Sequence, residues 1–189
     1  MIKNKKIKFK KEGFTLIEML VAMAVFSTVM VIITGIRQQR MALDHQIVLD
    51  QTSYALEYMS RALRFAKKEM SAPTCLSQNG LNVEKTRGGS GIKFINHLQN
   101  DDCQEFFLEN NQIKYRRKIG QAEENTLPLT SVKLEVTSLK FDLAGEWQTD
   151  DLQPRITIFS EIKSTGASGQ SQKIKIQTSI SQRNLDVTY

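Results

Sequence analysis

Hydrophobic and polar positions divide this chain into three regimes. Residues 14–36 are an apolar run of 23 positions with one charge, Glu18. Residues 37–70 hold neither Pro nor Gly and keep a helical period. Val48, Thr52, Ala55, Met59, Ala62, Ala66 and Met70 fall three or four apart, with Leu56 and Leu63 alongside, so one face is apolar. Arg61, Arg64, Lys67, Lys68 and Glu69 mostly occupy the other side. Beyond Pro73 the period drops to two, as in strands with one buried face.

These patterns predict a single helix of more than fifty residues. At ~1.5 Å rise per residue its apolar part is roughly 34 Å long, enough for a hydrocarbon core of about 30 Å. Gly35 is its one weak point, costing ~1 kcal/mol relative to Ala. Ser71, Ala72 and Pro73 are expected to end it, because the residue before a proline disfavours helix.

In the second half, the strands Phe106-Phe107-Leu108-Glu109 and Gln112-Ile113-Lys114-Tyr115 flank Asn110-Asn111, a pair that tolerates positive φ and suits a tight hairpin. Val132, Leu134 and Val136 alternate with polar residues. Leu139, Phe141 and Leu143 resume the alternation one position later, so Thr137-Ser138 marks a bulge or a bend. Ile156, Ile158 and Ile162 form another run, and Ile174, Ile176 and Ile180 a further one, joined by a flexible loop at residues 165–171. Residues 74–104 are less legible, with a loop at Gly88, Gly89 and Gly91 and a strand at Ile92-Lys93-Phe94-Ile95. The expected class is α+β: a long N-terminal helix, half transmembrane (14–36) and half amphipathic (37–72), packed on an antiparallel β-sheet within residues 73–189.

Charge sharpens the picture at one end only. The formal charge of +6 over 189 residues invites a nucleic-acid reading, but residues 1–13 hold six Lys and one Glu. The remainder is close to neutral, so no nucleic-acid partner is expected. Six lysines before the apolar run, against Arg37 and Arg40 behind it, place the N-terminus in the cytoplasm and the C-terminal body outside. A cleaved secretory signal fits poorly, because the run is too long and no A-x-A site follows. Cys75 and Cys103 would both face the oxidising side, which makes a disulfide the expectation and two buried thiols the alternative. The bond would close a loop worth roughly 3–4 kcal/mol by chain-entropy reasoning.

No active site assembles from the remaining residues. His45 and His97 have no metal-ligand spacing around them, and neither cysteine has an adjacent His as base. Asp101-Asp102 and Asp150-Asp151 lack the ordered pattern of a calcium loop, and are expected as solvated turns. Arg87-Gly88-Gly89-Ser90-Gly91 lacks the phosphate-loop spacing. Trp147 follows a Gly145-Glu146 turn as a packed edge residue, and Arg116-Arg117-Lys118 is expected as a solvated strand end. No enzyme, cofactor or metal is expected.

Gly13-Phe14-Thr15-Leu16-Ile17-Glu18, after a short lysine-rich leader and before Met19-Leu20-Val21-Ala22, resembles the type IV prepilin signature. The resemblance implies a leader of residues 1–13, cut by a prepilin peptidase of the inner membrane between Gly13 and Phe14, with N-methylation of Phe14. It implies that Glu18 meets the N-terminal amine of a neighbouring subunit as apolar helices bundle, and a pilin-like fold follows from it. Residues 53–64, SYALEYMSRALR, resemble minor pilins of the PilW kind and the J-type pseudopilin of type II secretion. Members of that group resemble initiating or tip-proximal subunits. Two features depart from typical pilins: residues 14–36 contain no proline, and the cysteines lie earlier than the usual C-terminal disulfide loop. The rival reading is an unprocessed single-pass anchor displaying an extracytoplasmic binding domain, for which Glu18 would be indifferent.

Overall fold

The apolar run and the amphipathic stretch after it form one helix of 49 residues, α1 (Leu16–Arg64). A computed structural model describes residues 13–70, 74–118, 125–147, 152–164 and 173–183. The chain divides into two compact units, Met1–Arg40 and Met41–Tyr189, and α1 contributes to both. Residues 1–12 of the expected leader, residues 71–73, Asp150, Asp151 and the loop at 165–171 lie outside the described residues.

In the second unit α1 buries Val48, Thr52, Ala55, Met59 and Leu63, the face that periodicity predicts. The end of the helix does not follow the prediction. It stops at Arg64, and β1 (Ala66–Lys67) pairs instead with Asn96 and Ile95. The switch is anchored by main-chain bonds on both sides of Phe65: its N–H donates to the Ala62 carbonyl, and its carbonyl accepts from the N–H of His97. Ala66 is buried either as helix or as strand, so pairing with a sheet edge decides the matter. The change of conformation also inverts the next residues. Met70, expected on the core face, is 68% exposed, while Glu69, expected on the polar side, is buried.

Alternation predicts one sheet; the described residues of the unit form two, both antiparallel. The larger comprises β1, β2 (Val83–Thr86), β3 (Gly91–Asn96), β4 (Asp102–Glu109), β5 (Gln112–Lys118) and β6 (Asn125–Pro128). β1 and β2 share the same edge of β3, and the order continues through β4 and β5 to β6. The smaller sheet is β7 (Leu134–Ala144), β8 (Arg155–Ser164) and β9 (Lys173–Ser181). Its β7–β8 register shifts between Val136 and Ser138, where the sequence alternation slips. Asn110 and Asn111 join β4 to β5 with φ of 51° and 59°, the left-handed pair of a two-residue hairpin.

The helix and both sheets contribute to one main core that includes Met59, Leu63, Phe94, Phe106, Val136 and Ile158. Phe106 is its aromatic centre, with ring centroids 5.5 Å from both Phe94 and Tyr115 and 6.0 Å from Tyr58. Phe107 points to the opposite face of β4 and is buried differently: the Arg87 guanidinium lies 3.8 Å above its ring. Trp147, expected as a packed edge residue, forms an isolated bridge with Leu81 but keeps 37% of its surface exposed. The turn before it depends on Gly145, at φ 71°, where an added Cβ would sit 2.9 Å from the Leu152 carbonyl oxygen. Gly145→Ala is therefore expected to cost about 2–3 kcal/mol, combining left-handed strain with a backbone clash. Urea unfolding of the full chain in detergent micelles measures this; an unchanged midpoint would contradict it.

Candidate functional site

The N-terminal unit starts its helix with a side-chain cap. Thr15 precedes α1, and its hydroxyl accepts from the Glu18 N–H at 3.3 Å while its carbonyl accepts from the Met19 N–H at 3.2 Å. Thr15-x-x-Glu18 has the spacing of a capping box, so the helix start is written into the same residues that resemble the prepilin signature. Glu18 thereby falls in the first turn, where the partial positive charge of the helix N-terminus favours a carboxylate. The capping role of Thr15, as distinct from its place in the signature, is signalled in the sequence only by the Thr-x-x-Glu spacing.

Gly13 and Phe14 stand immediately before this cap, outside the helix. Phe14 is 80% exposed, and an added Cβ at Gly13 meets nothing within 4 Å. Behind them, Thr15, Glu18, Ala22, Val25 and Val29 recur three or four apart and line an open apolar groove on one side of the helix. Beyond Thr15, the other three hydroxyls of the apolar stretch are satisfied locally: Ser27 donates to the Met23 carbonyl, Thr28 to Val25, and Thr34 to Met30. Glu18 remains as the one charge of residues 14–36. The helix is long and apolar enough to cross a membrane.

The two cysteines lie in the other unit and take no part in this groove. Cys75 and Cys103 form a disulfide with their Cα atoms 5.4 Å apart. Cys103 belongs to β4, between Ile95 and Lys118 in the neighbouring strands. Cys75 lies in an irregular segment whose Leu76 and Leu81 pack with Ile95 in a second, small core.

The polar residues weighed as sites are committed to structure. Asp102 is buried in β4 and accepts from the Arg117 Nε at 2.7 Å, so it is no solvated turn. Arg87, within the glycine-rich stretch, has φ 51° and turns its guanidinium over Phe107 towards Glu105. Arg116 reaches Glu105 at 3.6 Å on the Phe107 face of β4, while Arg117 serves Asp102 on the opposite face, so two of the three basic residues are paired across strands and are no simple solvated strand end. Burial pushes the Tyr115 hydroxyl far above its ordinary titration range.

Asp101 is held below the usual carboxylate range, first by a hydrogen bond from Lys67 at 2.8 Å and then by His97 at 2.9 Å. A depressed carboxyl contributes stability above its ordinary pKa and loses it as the pH falls through the depressed value. With Asp101 and Lys67 both half-exposed, that contribution is small. Lys67→Ala is expected to raise the Asp101 titration midpoint in carboxyl-resolved NMR, and an unmoved midpoint would exclude this pairing.

Among the described residues no three His, Cys, Asp or Glu side chains gather as a metal site. Residues 8–34 match the family model described as the prokaryotic N-terminal methylation motif. No curated protein and no solved structure matches the chain. The match spans the Gly13–Phe14 junction, the Thr15 cap and Glu18. The chain thus carries a prepilin-type N-terminal methylation motif, which supports a place in the type IV pilin family.

Proposed function

We propose that this protein is a minor pilin or pseudopilin, anchored in the inner membrane and then built into a type IV pilus or a type II secretion pseudopilus. Prepilin peptidase cuts between Gly13 and Phe14, and the new amine of Phe14 is methylated. The observation that carries the reading is the coincidence of three features within one motif match: an unencumbered Gly-Phe junction, a capped helix start, and a lone carboxylate in its first turn.

The chemistry of the switch follows from those residues. A charged side chain within lipid costs roughly 3 kcal/mol at mid-membrane and less near the edge. Cleavage creates a positive amine at Phe14, and in an assembly this amine meets the Glu18 carboxylate of a neighbouring subunit. The pair offsets the cost of both charges and sets the axial register, while the apolar groove packs against neighbouring helices. Before cleavage the amine is absent and six lysines retain the N-terminus in the cytoplasm. The likeness of residues 53–64 to PilW-kind and J-type subunits supports an initiating or tip-proximal position.

Gly13→Leu tests the cleavage step without disturbing the fold, because a side chain there meets nothing nearby. Membranes holding the full chain, incubated with prepilin peptidase, are expected to lose the leader from the unsubstituted protein and at least tenfold more slowly from Gly13→Leu. Equal resistance of both chains would count against the reading.

A further inference from the structure

Glu69 escapes the processing chemistry, yet it is the most completely used carboxylate outside the sheets. It is 4% exposed. Its Oε2 accepts from three successive main-chain N–H groups: Cys75 at 3.0 Å, Leu76 at 3.2 Å and Thr74 at 3.4 Å. The Thr74 hydroxyl lies 3.5 Å from Oε1. Its own main chain closes the same segment from the other end, with Gly80 N–H on the Glu69 carbonyl and Glu69 N–H on the Leu81 carbonyl, both at 2.9 Å. Glu69 therefore holds the irregular segment 74–81 at both ends, by its side chain at residues 74–76, which include Cys75, and by its main chain at Gly80 and Leu81.

We propose that Glu69 is the positioning residue for the Cys75–Cys103 disulfide, holding the loop in its bonding conformation before the sulfurs join. Cys103 needs no such help, because β4 is fixed by pairing on both sides. Cys75 has no strand or helix to place it, and a loop of this kind samples many conformations unless its N–H groups are fixed. A carboxylate gathering successive N–H dipoles supplies that constraint with charge-assisted bonds, roughly twice as strong as neutral ones. Leu76, packed against Leu81 and Ile95, keeps the tied loop on the face of β3 that carries Ile95 towards Cys103.

The step that benefits is thiol–disulfide exchange with an external disulfide such as oxidised glutathione. One cysteine thiolate attacks a glutathione sulfur, forming a mixed disulfide and releasing one glutathione thiolate. The second cysteine thiolate then displaces the other glutathione. Two electrons pass from the cysteine pair to glutathione, and two protons end on the released thiols. Holding Cys75 beside Cys103 accelerates and favours the second displacement, raising the effective concentration of the pair. By the same thermodynamic cycle, the closed disulfide strengthens Glu69's hold on the loop by an equal factor.

The test equilibrates the full chain, in detergent micelles, with set ratios of reduced and oxidised glutathione, and counts dithiol and disulfide forms by mass after alkylation. Glu69→Ala is expected to lower the disulfide equilibrium constant by about ten- to a hundredfold, and Glu69→Gln by a smaller factor, since three N–H bonds lose their ionised acceptor. Glu57→Ala, which removes only an exposed ion pair with Arg61, serves as the control and should leave the constant unchanged. Constants within about twofold of the unsubstituted chain for both Glu69 variants overturn the proposal. Should Glu69→Ala fail to fold, Glu69→Gln alone decides by the same criterion. A purely structural role is separated by unfolding the Cys75→Ser/Cys103→Ser chain: if Glu69→Gln destabilises it as much as the oxidised chain, Glu69 and the disulfide are uncoupled and the proposal fails.

Discussion

Glu18→Ala is expected to leave the chain processed at the Gly13–Phe14 junction but to deplete it at least tenfold from assembled filaments. Alanine is the strongest helix former, and this gain roughly offsets the first-turn dipole interaction that the carboxylate gives up. The cap also survives, because Thr15 bonds the N–H of residue 18 and not its side chain. On the proposed assembly, the neighbouring amine loses its partner and is left charged against apolar helices; removing one member of a buried ion pair costs about 3–5 kcal/mol. Quantitative blotting of the sheared-filament and membrane fractions reads the effect. Depletion should also follow Glu18→Gln, which keeps shape and removes charge. Normal incorporation of both variants would show that the carboxylate has no role in assembly.

The second large effect lies in the globular unit. Phe106→Ala is expected to destabilise it by about 3–5 kcal/mol, a large share of the 5–15 kcal/mol by which domains are commonly stable. The ring is fully buried and meets Phe94, Tyr58 and Tyr115, so its loss leaves a cavity bounded by rigid aromatic neighbours. Tyr58 comes from α1 and Tyr115 from β5, which makes this residue the joint between helix and larger sheet. Thermal and urea unfolding of the micelle-bound chain, followed by tyrosine and tryptophan emission, gives the value. A loss below about 1 kcal/mol would mean that the helix–sheet contact is not organised around Phe106.

Local signals made much of this fold legible. The apolar run, the helical face from Val48 to Leu63, the Asn110-Asn111 hairpin and the slip at Thr137-Ser138 each depend on neighbours within a few residues, and each has its counterpart in the structure. What escaped the sequence depends on partners far away along the chain. Ala66 and Lys67 leave the helix because Asn96 and Ile95 offer an edge thirty residues on. β2 and β6 are four-residue strands defined by their pairing more than by any period of their own. The split into two sheets is likewise invisible in alternation, which reports a buried face but not which sheet owns it.

The candidate site divides along the same line. Gly13, Phe14 and Glu18 lie within six consecutive residues, so the motif that carries them is open to inspection, and the capping spacing of Thr15 is equally present. The even cysteine count makes a disulfide the expectation over two buried thiols, and Cys75 and Cys103 are bonded. Glu69 itself gave no signal. One acid among the charged residues 67–69 has the same pattern whether it faces water or closes a loop, and only the end of α1 at Arg64 turns it inward.

The central claim is that residues 1–13 are a leader removed to make an assembly-competent N-terminus. Its most direct test is the intact mass of the protein recovered from cells with and without the prepilin peptidase. A peptidase-dependent chain that begins at N-methylated Phe14 is the expected result. A chain that still begins at Met1 in both strains would contradict it and leave an unprocessed membrane anchor as the better description.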